Sequence, residues 1–109
     1  MLFRSAAREA VDALGLDAGI GGHVADGNFH VAFMLDPGDE GEVDRARKLD
    51  GLLVDDALAR GGTCSGEHGI GIGKRAYLAR EHPDLIPLYR KLKGVFDPHG
   101  ILNPGKVLP

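Results

Sequence analysis

Ten of the seventeen glycines fall in two short stretches, four between Gly19 and Gly27 and six between Gly61 and Gly73. Glycine at such density disfavours a helix or strand interior and marks places where the backbone must turn or pass close to something. The two stretches therefore read as turns and loops, and the segments around them must supply the packed elements. Residues 2–14 carry Leu2, Phe3, Ala6, Ala7, Ala10, Val11 and Leu14 at helical spacing, with Gly15 placed to end the helix. Residues 40–60 repeat the pattern through Val43, Ala46, Leu49, Leu53, Val54, Ala57 and Leu58, between the Asp36-Pro-Gly-Asp39 turn and Gly61-Gly62. A third helix is expected over 83–95, with Pro83 near its start and Leu85, Leu88, Tyr89, Leu92 and Phe96 on one stripe. Asp97-Pro-His-Gly and Asn103-Pro-Gly-Lys are successive turn signatures, so residues 97–109 are expected to be irregular.

The first glycine stretch lies in Gly19-Ile-Gly-Gly-His-Val-Ala-Asp-Gly-Asn-Phe-His-Val-Ala-Phe-Met-Leu35. Asp26-Gly27 is a two-residue hairpin signal, because a type I′ turn needs positive φ at both positions. A hairpin closed there pairs Val24 with Phe29, His23 with His30 and Ile20 with Phe33. One face then carries Ile20, Val24, Phe29, Val31, Phe33 and Leu35, and the other carries His23, Asn28 and His30 with small neighbours. Opposed imidazoles on a strand pair have Cβ atoms ~5 Å apart, within reach of one metal ion. Paired histidines on an exposed face are more often solvated than ligating. The second stretch, Gly61-Gly-Thr-Cys-Ser-Gly-Glu-His-Gly-Ile-Gly-Ile-Gly-Lys-Arg75, changes that balance by offering Glu67 as a third ligand. Two histidines and a carboxylate with open positions form a catalytic metal arrangement. His68, expected to point elsewhere than its neighbour, suits a general base. The same stretch fails as a phosphate loop, since Arg75 stands where Ser or Thr should bind magnesium. Cys64 reads as a small buried thiol.

Composition narrows the class. The 109 residues are 43% hydrophobic and 27% charged, with a formal net charge of −3. A chain of this length buries roughly 65% of its unfolded surface, which suggests one domain over 1–109. The longest apolar run, Val31 to Leu35, is far short of the ~20 residues a membrane-spanning helix needs. The N-terminal residues show no apolar stretch of the kind that directs secretion. A single cysteine excludes an internal disulfide and fits a reducing compartment. The acidic balance, with basic residues lacking aromatic neighbours, argues against nucleic acid as a partner.

Three motifs carry a resemblance to a known family: Gly22-His-Val-Ala-Asp-Gly-Asn-Phe-His30, Ser65-Gly-Glu-His-Gly-Ile-Gly71 and Phe96-Asp-Pro-His-Gly-Ile-Leu-Asn-Pro-Gly-Lys106. In this order they resemble the C-terminal region of FAD-linked 2-hydroxy-acid dehydrogenases, which include D-lactate dehydrogenases (cytochrome), the glycolate oxidase D subunit and D-2-hydroxyglutarate dehydrogenase, within the vanillyl-alcohol oxidase type of flavoprotein. The resemblance runs from about residue 18 to the end. Thr63-Cys-Ser-Gly-Glu-His, Gly73-Lys-Arg75 and Asn28-Phe-His-Val look closest to the D-lactate branch, and Ala32 stands where members acting on larger dicarboxylates often carry Asn.

The resemblance implies an α+β fold: a ferredoxin-like antiparallel sheet with helices on one face, forming part of a cap domain, followed by an irregular tail over 96–109 that returns to a flavin domain. It implies that His23, His30 and Glu67 hold a divalent metal, zinc, manganese or iron, that His68 takes the hydroxyl proton, and that Asn103 and Lys106 lie against the FAD. The substrate would be a small D-2-hydroxy acid, with D-lactate the first expectation, oxidised to the 2-oxo acid. The partner would be a flavin-binding domain or subunit, without which the isolated chain is expected to be inactive. A truncated sheet exposes edge strands, so a homo-oligomer is expected. The location is expected to be cytoplasmic, with any membrane association peripheral and through the electron acceptor. A glycolate oxidase D-subunit fragment, or a metal- or ligand-binding oligomerisation module without redox activity, is the alternative.

Overall fold

The alanine-rich periodicity at the start of the chain forms a helix whose inner face buries Ala7 and Val11 completely. The computed structural model describes residues 2–109, and the side chains of Leu2 and Phe3, expected on this helix's stripe, lie outside the described residues. The described chain divides into two units, one running to Gly62 and the other from Thr63 to Pro109.

In the first unit, α1 (Leu2–Ala13) leads to an antiparallel pair, β1 (Asp17–Gly21) and β2 (His30–Met34), and then to α2 (Glu40–Ala59). Gly15 ends α1 as the spacing predicts: its φ of +61° is open to glycine without strain. The amide of Gly15 bonds Asp12 O at 3.1 Å and that of Leu16 bonds Val11 O at 3.2 Å. This paired closure brings Leu16 back onto Val11 and seeds the core. The long second helix begins where Asp39 accepts the amide of Glu42 at 3.0 Å, while the Glu42 carboxylate takes the amide of Asp36 at 2.6 Å. One first-turn donor is thus satisfied by the capping carboxylate, and Glu42 in turn ties the preceding turn to the positive end of the helix.

The core joins Val11 of α1, Leu16, Ala18 of β1, and Ala46 and Leu49 of α2, with Ile20, Val31, Phe33 and Leu35 packed against it. Both helices therefore cover one face of the sheet. The class is α+β, as expected, with a two-stranded antiparallel sheet. The order helix, strand, strand, helix corresponds to the inner four elements of a ferredoxin-like βαββαβ unit.

The hairpin differs from the expected one in its register. Ile20 faces Val31 and Gly21 faces His30, two residues away from the pairing a turn at Asp26-Gly27 demands. Gly22 causes the early closure. At φ +139° it lies so close to Asn28 O and Phe29 Cα that an added Cβ would stand 2.3 and 2.9 Å from them, so the chain crosses over here. Residues beyond it form a compact loop with a 3₁₀ turn at Val24–Asp26 that ends on Gly27. A two-residue shift keeps side-chain parity, so Ile20, Val31 and Phe33 remain on the core face. Val24 and Phe29 leave the ladder, and Val24 is exposed.

In the second unit, a short helix that the periodicity did not reveal, α3 (Arg75–Glu81), precedes α4 (Ile86–Phe96). The latter starts three residues later than expected, and its buried residue is Ile86. The expected stripe is not buried: Leu85, Leu88, Leu92 and Phe96 are all exposed. The tail is irregular, as its two turn signatures predict. Buried Asp97 organises its first turn, accepting Ile101 N at 2.9 Å, Leu102 N at 3.0 Å and the ammonium of Lys93, which also donates to Leu102 O at 2.6 Å. The Lys93 contact, which outweighs the opposing effect of burial, holds this carboxyl below its ordinary range.

Candidate metal and base site

His23 and His30, both in the first unit, are not paired across the strands. His30 opens β2 opposite Gly21, while His23 stands in the loop, its carbonyl accepting Asp26 N at 3.0 Å and Asn28 N at 3.1 Å. The expected facing of the two imidazoles is thus corrected, and the cause is the crossover at Gly22. His30 shares strand parity with Ala32 and Met34, on the face away from the core. Asn28 contributes its amide to the loop's closure.

Glu67 and His68, in the second unit, occupy a turn between glycines. Their side chains come together: His68 Nε2 lies 3.7 Å from Glu67 Oε1, and both are substantially exposed. The expectation that neighbours in sequence diverge applies to a strand. In a turn both side chains can swing to the same side.

The segment is tied at both ends. On the near side Glu81, the last residue of α3, accepts the Thr63 hydroxyl at 3.1 Å and the Cys64 amide at 2.8 Å through the same oxygen, Oε2. Its other oxygen lies 3.3 Å from His82 Nε2. Burial pulls the Glu81 carboxyl upward, but the bonds from Cys64 and Thr63 and the proximity of His82 outweigh it, so the group lies below its ordinary range. Cys64 is buried, and burial, reinforced by Glu81, pushes its thiol up to about 11. A thiol so raised stays protonated near neutrality and is a poor nucleophile, in keeping with the expected buried thiol. On the far side Val107 N bonds Gly71 O at 2.7 Å, and Arg75 Nη1 bonds Gly105 O at 3.0 Å.

Asn103 and Lys106 lie exposed in the tail, joined by a 3.4 Å bond from Lys106 N to Asn103 O. Sequence reasoning missed Glu81. Its partners lie seventeen and eighteen residues away, and the one available signal was a glutamate just ahead of His82-Pro83, where a helix must end.

The second unit offers one metal-ligand type and one base type side by side: the solvent-open carboxylate oxygen of Glu67 is a ligand type shared by zinc, manganese and iron, and the His68 imidazole beside it can take a proton.

Comparison with known proteins gives the family. The model for FAD linked oxidases, C-terminal domain, matches residues 3–107. The chain belongs to that family. It is 52% identical over 90 residues to the Danio rerio protein named "Probable D-lactate dehydrogenase, mitochondrial", covering 82% of this chain and 18% of that protein. It is 39% identical over 106 residues to the mitochondrial D-lactate dehydrogenase [cytochrome] of Arabidopsis thaliana, covering 96% and 19%. The glycolate oxidase subunit GlcD of Escherichia coli K12 is 41% identical over 88 residues, covering 80% and 18%. The chain thus spans about a fifth of the length of these relatives. No helix among the described residues is long and apolar enough to cross a membrane.

Proposed function

We propose that this chain is the metal- and substrate-binding C-terminal portion of a flavin-dependent D-2-hydroxy-acid dehydrogenase acting on D-lactate. The observation that carries the reading is the Glu67 and His68 pair, 3.7 Å apart on a turn tied at both ends, within a chain of the FAD-linked oxidase family. His23, His30 and Glu67 would hold the divalent metal. With the register corrected, His23 rests on the motif resemblance alone.

When bound, the metal would polarise the substrate's oxygens and the flavin would accept the hydride from C2. The rest falls to the chain. His68 takes the hydroxyl proton at Nε2. The exposed tail brings Asn103 and Lys106 to the flavin-binding domain or subunit. On this reading residues 1–109 act as one portion of a longer catalytic assembly, are inactive when isolated, self-associate through the unpaired edges of a two-stranded sheet and work in the cytoplasm. Glycolate is the second substrate to try, because of the similarity to GlcD.

The test is anaerobic stopped-flow bleaching of the flavin in the complete flavoprotein, with metal content measured on the same samples. D-lactate should bleach faster than glycolate. His68→Ala should keep its metal and slow bleaching ~10²–10⁴-fold, the usual worth of a positioned base. Glu67→Ala should lose metal and activity together. Metal lost in His68→Ala would make His68 a ligand instead of the base.

A further inference from the structure

We propose that Glu81 is a positioning residue for the turn that carries Glu67 and His68, a role that rests on the function proposed above for that pair.

Glu81 is the last residue of α3, and its side chain is only 12% exposed. Through Oε2 it receives two donors from the segment entering the turn, the Thr63 hydroxyl at 3.1 Å and the Cys64 amide at 2.8 Å. The Thr63 hydroxyl oxygen in turn accepts the Ser65 amide at 3.4 Å. A continuous chain of hydrogen bonds therefore runs from the helix end to a point two residues ahead of Glu67. The exit is held independently, by Val107 N on Gly71 O and by Lys74 N on Ile70 O at 3.2 Å.

Between the anchors, Gly66 and Gly69 flank Glu67 and His68, and φ at Gly69 is +76°. A turn with glycine on both sides has wide backbone freedom of its own, so its conformation depends on where its ends are fixed. Cutting the entry anchor would enlarge the set of positions open to Glu67 and His68 without removing either side chain. A carboxylate suits the place because its oxygens are acceptors only and can take several donors at once. Two donors converge on Glu81 Oε2, the Thr63 hydroxyl and the Cys64 amide, while the His82 ring lies 3.3 Å from the other oxygen.

Cys64 supplies a direct reporter, because it is the chain's sole cysteine, is buried, and is bonded through its backbone to Glu81. The experiment compares the unaltered chain with Glu81→Ala, Glu81→Gln and Thr63→Ala. It reads Cys64 labelling by a disulfide reagent, amide exchange at residues 65–69, Co²⁺ uptake by its absorption bands, and helix content by circular dichroism. Glu81→Ala should raise labelling and exchange about tenfold and weaken Co²⁺ binding by a similar factor, with helix content kept. Glu81→Gln retains an acceptor oxygen at the same reach and should restore most of both effects, which a nonspecific loss of stability would not. If Glu81→Ala loses helix content, Thr63→Ala removes a donor from the loop side and should move the same readouts about threefold. Unchanged labelling and exchange in the folded variants, or equal behaviour of the Ala and Gln forms, overturns the positioning role. An unaltered chain that takes up no Co²⁺, while labelling and exchange respond as stated, overturns the metal reading and leaves Glu81 as the anchor of the turn.

Discussion

The two units are built on different physics. The first, to Gly62, holds twelve acidic and six basic residues, a net −6, and packs around fully buried Val11 and Leu49. The second holds four acidic and seven basic residues, a net +3, and leaves Leu88, Leu92, Val95, Phe96 and Ile101 exposed. What organises it is a pair of carboxylates. Glu81 gathers the entry to the glycine-rich turn and Asp97 gathers the start of the tail. Apolar burial is non-directional and tolerates drift, whereas a carboxylate accepting backbone amides sets positions to within a hydrogen bond. A unit that must present Glu67 and His68 in one pose is better served by the second device.

The comparison breaks most easily at the core. Leu49→Ala should destabilise the chain by about 2–5 kcal/mol in urea unfolding, since the side chain is fully buried. Leu92→Ala, at a half-exposed position, should change stability by less than about 0.5 kcal/mol. Equal losses would mean that the α4 stripe is a core as well.

Acid should separate the units next. Glu81 and Asp97 both have folded pKa values below their ordinary 4.5 and 3.8. A depressed folded pKa contributes stability that is present above the unfolded value and is lost as pH falls through the folded one. Amide exchange at Cys64, Ile101 and Leu102 should therefore accelerate as pH drops below about 4, beyond the intrinsic pH dependence, while the amides of α1 and the sheet stay protected. Loss of both units at one pH would erase the distinction.

The smallest effect sharpens the first unit. Removing the cap in Asp39→Ala should cost about 1 kcal/mol, measured by thermal unfolding, because the Glu42 amide loses its side-chain acceptor.

What the sequence determined by itself follows from local rules. Leu2–Ala13 and Glu40–Ala59 form helices because their apolar side chains recur at the helical period, and Gly15 ends the first because only a residue free of Cβ strain takes its φ cheaply. Even the sheet's core face was legible, since alternation assigns Ile20, Val31 and Phe33 to one side whatever the register, provided it shifts by two. The three motifs of the family were legible too, as the match over residues 3–107 bears out.

Only the tertiary structure decided the rest. Asp26-Gly27 signals a turn, but the approach of Gly22 to Asn28 and Phe29 chose which turn formed, and this took His23 out of the ladder. The stripe of α4 looked like a core because periodicity reports amphipathicity and is silent about what covers it. The convergence of Glu67 with His68 depends on turn dihedrals that no period encodes, and the hold of Glu81 on Thr63 and Cys64 spans a separation beyond any local rule. Local pattern sets which elements form and which sides are apolar. Contacts between segments distant in the chain set register and the pose of functional side chains, because those energies exist only once the segments meet.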